Sequence, residues 1–177
     1  PEPKTIFNEI QTLPRGSYLV LKNGNINTFK IRNKFKSDFG KYNTSSDKIK
    51  IVRQTVENAV KSRLLSDVPI GSFLSGGLDS TIVSTIAARE LPELDTFTIS
   101  FDDLSDPYHG KADESNAAKL TAKRIGSKHH EIKVNAEIFR SQLDDFCIFG
   151  DQPFSVSSGL GILAISSFAK KIGIKVL

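Results

Sequence analysis

The chain has 177 residues, 38% of them hydrophobic, with 24 Lys and Arg against 20 Asp and Glu for a net charge of +4. That length suits one well-buried domain with a small appendage, and no apolar run has the length of a membrane span or the pattern of a secretion signal. The single Cys147 excludes a disulfide framework and suits a reducing cytoplasm, while the cations are spread along the chain and form no basic block with interleaved aromatics for nucleic acid.

Two alternating runs, 17–21 and 26–31, flank Lys22, Asn23, Gly24 and Asn25. Asn-Gly between extended runs predicts a hairpin, because both residues tolerate positive φ. The polar segment 35–46 reads as a linker. Asp47 is placed to cap a helix reaching about residue 65. Its apolar positions Ile49, Val52, Val56, Ala59, Val60 and Leu64 recur at helical spacing. From Val68 onward, strands and helices alternate. The pattern gives strand 70–74, helix 79–89, strand 96–101, helix 115–125 ending at Gly126, and strand 130–134. A helix from about 136, a loop around Gly150–Pro153, a helix 160–172 stopped by Gly173 and the start of a buried strand at 174–177 complete it. This alternation predicts an α/β protein with a doubly wound parallel sheet, in which ligands bind beyond the carboxyl ends of the strands.

The stretch "SGGLDS", Ser75 to Ser80, falls at such an end, between a strand and a helix. Gly76 and Gly77 remove side chains where the backbone must turn and approach something closely. The following helix presents free N–H groups and its positive dipole end, and Ser75 and Ser80 add hydroxyl donors. Together they suit phosphate or pyrophosphate. Asp79 is the exception, since a carboxylate repels phosphate unless a cation lies between them. Mg²⁺ resolves that conflict, because it takes one or two carboxylates together with phosphate oxygens. Other loops of this kind fail on the letters: Gly77-Leu78 stands where a Walker loop needs Lys-Ser/Thr, and Phe73 where a nucleophile elbow needs Gly. A turn with a helix cap remains the bland alternative.

"SGGLDS" matches the pyrophosphate-loop signature of ATP pyrophosphatases that adenylate a substrate, a signature shared by several synthetase families. Its surroundings narrow the choice. "KSRLLSDVPIGSFLSGGLDST" (61–81), "TFTISF" (96–101), "DESNAAKLTAKRIGSKHHEI" (113–132) and "GDQPFSVSSG" (150–159) resemble glutamine-dependent asparagine synthetases in the same order. "PKTIFNEIQTLPRGSYLVL" (3–21) resembles the last stretch of that family's glutaminase domain. The resemblance implies three parts: the end of a glutaminase domain over 1–34, a linker over 35–46, and a partial ATP-pyrophosphatase domain of adenine nucleotide alpha hydrolase-like fold over 47–177. It implies ATP and Mg²⁺ as cofactors, adenylation of a substrate carboxylate (aspartate by default), and displacement of AMP by ammonia made from glutamine. Position by position, Ser75, Gly76, Gly77, Asp79 and Ser80 would hold pyrophosphate, with Asp79 on the metal. Leu74 and Ile99 stand where the family holds adenosine by backbone and apolar contact.

The family's glutaminase nucleophile is an N-terminal Cys, whereas this chain opens on Pro1 and has Cys147 in the other domain. The family also continues, after a strand like 174–177, into a second acidic loop of the type SGDGADE. The expectation is a catalytically incomplete piece of a longer cytoplasmic enzyme, with no catalytic residue of its own and with a sheet edge that favours homo-oligomers. Asp113 and Glu114 either face the cleft on the substrate side or charge a helix N-terminus. Asp151, with Ser155, Ser157 and Ser158, has the same two standings, substrate contact or turn. His129 and His130 have no Cys or His at ligand spacing and read as structural or surface groups. Cys147 reads as inert packing. Two alternatives stay open: another adenylating enzyme, such as one that thiolates tRNA, and a nucleotide-binding module without catalysis.

Overall fold

A computed structural model describes residues 2–31, 44–101, 114–150 and 158–177. Strands β1 (Ser17–Lys22) and β2 (Asn25–Lys30) form the expected hairpin, paired antiparallel from Ser17↔Lys30 to Lys22↔Asn25. The two-residue turn has φ of 50° at Asn23 and 75° at Gly24, the mirror-image geometry that matches strand twist. Tyr18 and Phe29 stack across it at 5.2 Å, while most of its apolar side chains stay exposed.

Helix α1 (Ser45–Arg63) begins two residues inside the segment read as linker. Its cap is Thr44, not Asp47: the Asp47 N–H donates to the Thr44 hydroxyl at 3.1 Å, and that hydroxyl donates to the Asp47 carboxylate at 2.6 Å. A hydroxyl three residues upstream reaches one of the free N–H groups of the first turn, and the acidic residue answers it from within that turn. The apolar stripe works only in its second half. Val56, Val60 and Leu64 pack with Ile86, Ala87 and Leu94, whereas Ile49 and Val52 lie open.

Three parallel strands follow in the order β3 (Gly71–Phe73), β4 (Asp95–Phe101), β5 (Lys128–Val134). Helix α2 (Leu78–Glu90) joins β3 to β4, and α3 (Ser115–Ile125), closed by left-handed Gly126, precedes β5. The single helix expected from residue 136 is two: α4 (Ala136–Ser141), capped by Asn135, and α5 (Leu143–Gly150). Cys147 on α5 is exposed, so the expected packing role is corrected; the packing of α5 against its neighbouring helices leaves that side open.

Helix α6 (Ser158–Lys171) then crosses to the opposite face of the sheet. Residues on that face, Phe73, Phe97, Ile99 and Ile132, pack with Ile165, Phe168, Ala169 and Ile174. On the other face Leu74 packs with Ala118 and Ala122 of α3, and Ser72 meets α2. After α6 the chain returns beside β3, where Ile70 bridges Val176 in parallel and the Gly71 N–H donates to the Val176 carbonyl at 2.8 Å. The sheet therefore grows one way from β3 through β4 and β5, and the other way at Val176. This is the doubly wound parallel arrangement that the alternating pattern predicts, with its order reversing at β3.

Candidate functional site

The reversal point puts a crevice at the carboxyl end of β3, and residues 74–80 leave the sheet there. Leu74 is fully buried, and its N–H donates to the Phe97 carbonyl at 2.8 Å. The strand thus remains anchored up to the residue before the loop. Gly76 has φ of 89°. A Cβ there would stand 2.8 Å from the Ala117 Cβ, 2.9 Å from the Ala118 nitrogen and 2.9 Å from the Glu114 carbonyl oxygen. Only glycine satisfies both the backbone and the first turn of α3 behind it.

Ser75 and Ser80 close the loop. The Ser75 N–H donates to the Ser80 hydroxyl at 3.2 Å and the Gly77 N–H to the Ser75 hydroxyl at 3.2 Å. The two hydroxyl oxygens lie 3.0 Å apart, and the Ser80 hydroxyl donates to the Gly77 carbonyl at 3.2 Å. Two amides that an anion would use are thus occupied by the loop's own hydroxyls. Gly77 caps α2 with no side-chain bond, and Thr81 makes the first helical bond to its carbonyl at 3.1 Å. The N–H groups of Leu78, Asp79 and Ser80 are left without an acceptor inside the helix. They supply the positive end of the dipole, and Asp79 sits in that first turn.

Asp79 is exposed and makes no ion pair among the described residues. With Ser80 it lines a cavity of about 550 Å³ that runs along β3 past Ala59, Val60 and Arg63. Glu114, exposed at the start of α3, places its Oε2 3.8 Å from where a Gly77 side chain would begin. Five of the expected residues, Ser75, Gly76, Gly77, Asp79 and Ser80, therefore meet in one loop, with Glu114 beside it. Ile99 lies half-buried on the α6 face, and its Cδ1 would be 2.9 Å from a side chain at Gly161. Asp113, Asp151, Ser155 and Ser157 lie outside the described residues.

The histidines take structural places. His130 stacks on Phe97 at 5.0 Å, and its Nε2 lies 2.6 Å from the Asp95 carboxylate at the opposite end of the strands from the loop. His129 meets Thr96 through Nδ1 at 3.0 Å. Burial pushes the His129 pKa below its ordinary value, with Glu131 opposing and His130 and Lys119 adding to the shift. Among the described residues no group of three His, Cys, Asp or Glu could hold a metal. Sequence reasoning missed Ser72 and Ser84, buried hydroxyls 2.9 Å apart beneath the loop. Only their place on either side of the glycines could have singled them out.

A phosphate-sized anion fits this geometry. The chain is 30% identical over 172 residues to asparagine synthetase [glutamine-hydrolyzing] 1 of Bacillus subtilis, covering 97% of this chain and 26% of that protein. It is 38% identical over 141 residues to asparagine synthetase B of Escherichia coli, covering 72% of this chain and 24% of that one. It thus spans about a quarter of the length of these curated relatives. The structure of NMN synthetase from Francisella tularensis superposes with a TM-score of 0.45 at 14% identity, over 72% of this chain and 52% of that one, a likeness that adds nothing to the assignment. The profile of the asparagine synthase family matches residues 51–177, from α1 through the glycine loop to the last residue, and the chain belongs to that family.

Proposed function

We propose that this chain carries the ATP-binding part of a cytoplasmic, glutamine-dependent ligase that amidates a carboxylate, with aspartate as the default substrate. The observation that carries the reading is the loop at the strand-order reversal, with glycines walled by α3, uncapped N–H groups and an exposed Asp79 in the first turn of α2. In the proposed reaction a carboxylate oxygen of the substrate attacks the α-phosphorus of ATP, and the bond to pyrophosphate breaks. The nitrogen of ammonia then attacks the acyl carbon, and AMP departs with the bonding pair.

The chain's residues have separable parts in this scheme. Gly76 and Gly77 let the backbone lie against the departing pyrophosphate, and the N–H groups at the start of α2 bind its oxygens. The hydroxyls of Ser75 and Ser80 exchange their mutual bond for bonds to the ligand. Leu74 and Ile99 border the adenosine end, and Glu114 faces the substrate side. Mg²⁺ fits Asp79, an exposed carboxylate beside an anion cradle with no ion-pair partner among the described residues, and would neutralise charge gathering on the leaving group.

Calorimetric titration of the chain with Mg-ATP tests the reading. Saturable binding should appear in the natural chain and weaken by a factor of about 10² in Gly76→Ala, whose methyl group enters the cradle and strains the backbone. Absence of binding to the natural chain, or equal binding by the variant, would overturn it.

A further inference from the structure

Beneath the glycine loop lies a second set of hydroxyls. Ser72 in β3 and Ser84 in α2 are buried, at 9% and 0% exposure, and their oxygens are 2.9 Å apart. Each also lies 3.3 Å from the carbonyl oxygen of Phe73, the last residue of β3. Two protons serve this arrangement: one hydroxyl donates to the other, which donates to the carbonyl. Both hydroxyls converge on the one carbonyl, so together they fix the strand end against the helix.

Stability alone is a poor reason for these residues. Serine is a weaker helix former than alanine, and a buried hydroxyl costs free energy unless it is bonded. What the pair supplies is direction. Ser80 and Ser84 are four residues apart on α2 and share one face of the helix. Ser80 ties that face to Ser75 and Gly77 at the top of the loop, and Ser84 ties it to Ser72 and Phe73 at the base. The strand end and the helix start are thus stitched together at two levels, with Leu74 to Gly77 held between them.

We propose that Ser72 and Ser84 are a positioning pair for the anion loop, acting through the Phe73 carbonyl to hold the α2 amides at the spacing a pyrophosphate needs. The inference rests on the ATP reading above. Neither serine touches the ligand. Their effect is preorganisation: a loop already in its bound shape spends less binding energy on ordering itself.

The test uses the full chain and magnesium pyrophosphate as the probe, at a temperature where circular dichroism shows each variant folded. Ser84→Ala should bind the probe about tenfold more weakly, the scale of one lost buried hydrogen bond. A second variant, S72V/S84A, removes both hydroxyls and fills the space with apolar atoms. Its melting temperature should recover toward that of the natural chain while its affinity stays about tenfold down. Unchanged affinity in Ser84→Ala, or affinity that recovers with stability in the double variant, would reduce the pair to ordinary packing and overturn the proposal. If the natural chain binds neither magnesium pyrophosphate nor Mg-ATP, the ATP reading fails first and takes this inference with it.

Discussion

The two faces of the parallel sheet are built from different materials. Against α6 the strands present Phe73, Phe97, Ile99 and Ile132, large side chains that interlock with Ile165 and Phe168. Against α2 and α3 they present Ser72, Leu74, Thr96, Thr98 and Ser100, nearly all small hydroxyl residues and all buried. The helices on that side answer with Ser84, Ala118 and Ala122. The first face earns stability by apolar area, and the second gives up much of that area to bring two helix starts against the sheet. The glycine loop lies where those starts meet. One face holds the fold and the other shapes the site.

Deleting the largest buried ring should break the first half of that comparison. Phe97 is fully buried and stacks on His130, with Phe168 edge-on at 6.4 Å. Phe97→Ala should cost about 3–5 kcal/mol of unfolding free energy, measured in urea. A loss under about 1 kcal/mol would mean that the α6 face is not the stabilising one.

The hydroxyl face should respond less and through another mechanism. Thr96 is fully buried and bonds both the Ser127 hydroxyl at 2.9 Å and His129 Nδ1 at 3.0 Å. Thr96→Val keeps the shape but leaves two polar groups short of a partner, for an expected loss of about 1–3 kcal/mol. If the variant is as stable as the natural chain, the hydroxyls on this face are incidental and the contrast between the faces collapses.

Which parts of this were legible in the sequence follows from the range of the forces involved. The Asn23-Gly24 turn, the left-handed stop at Gly126 and the glycine loop are set by neighbours a few residues apart, and each lies where the letters put it. The strand and helix types came from periodicity for the same reason. Thr44 was missed because Thr44, Ser45, Ser46 and Asp47 are all cap-forming residue types in a row, and only backbone geometry chooses among them. The exposure of Cys147, Ile49 and Val52 depends on which side of a helix its neighbours cover, a tertiary fact. Ser72 and Ser84 are twelve residues apart and look ordinary in their local patterns. The loop's place between strand and helix was therefore readable, but not the contacts that hold it in position.

The smallest expected effect, a pH dependence, probes the hydroxyl face from its β5 edge. His129 reaches Thr96 from β5, and burial, its largest influence, holds its pKa below the usual 6.5. Glu131 pulls the other way, and His130 and Lys119 add to the depression. The unfolded chain takes up this proton near its ordinary pKa, while the folded chain resists it. Between those two values the unfolded state binds more protons, so stability rises with pH. The contribution is complete above 6.5 and is lost as pH falls toward the depressed folded value. Carboxylates titrate in the same acid range, so the informative quantity is the difference between the natural chain and His129→Gln. Urea unfolding from about pH 7 to pH 5 should show a shallower loss in the variant. Parallel curves would mean that the proton enters His129 as easily in the folded chain as in the unfolded one, and that this edge of the hydroxyl face is open to water.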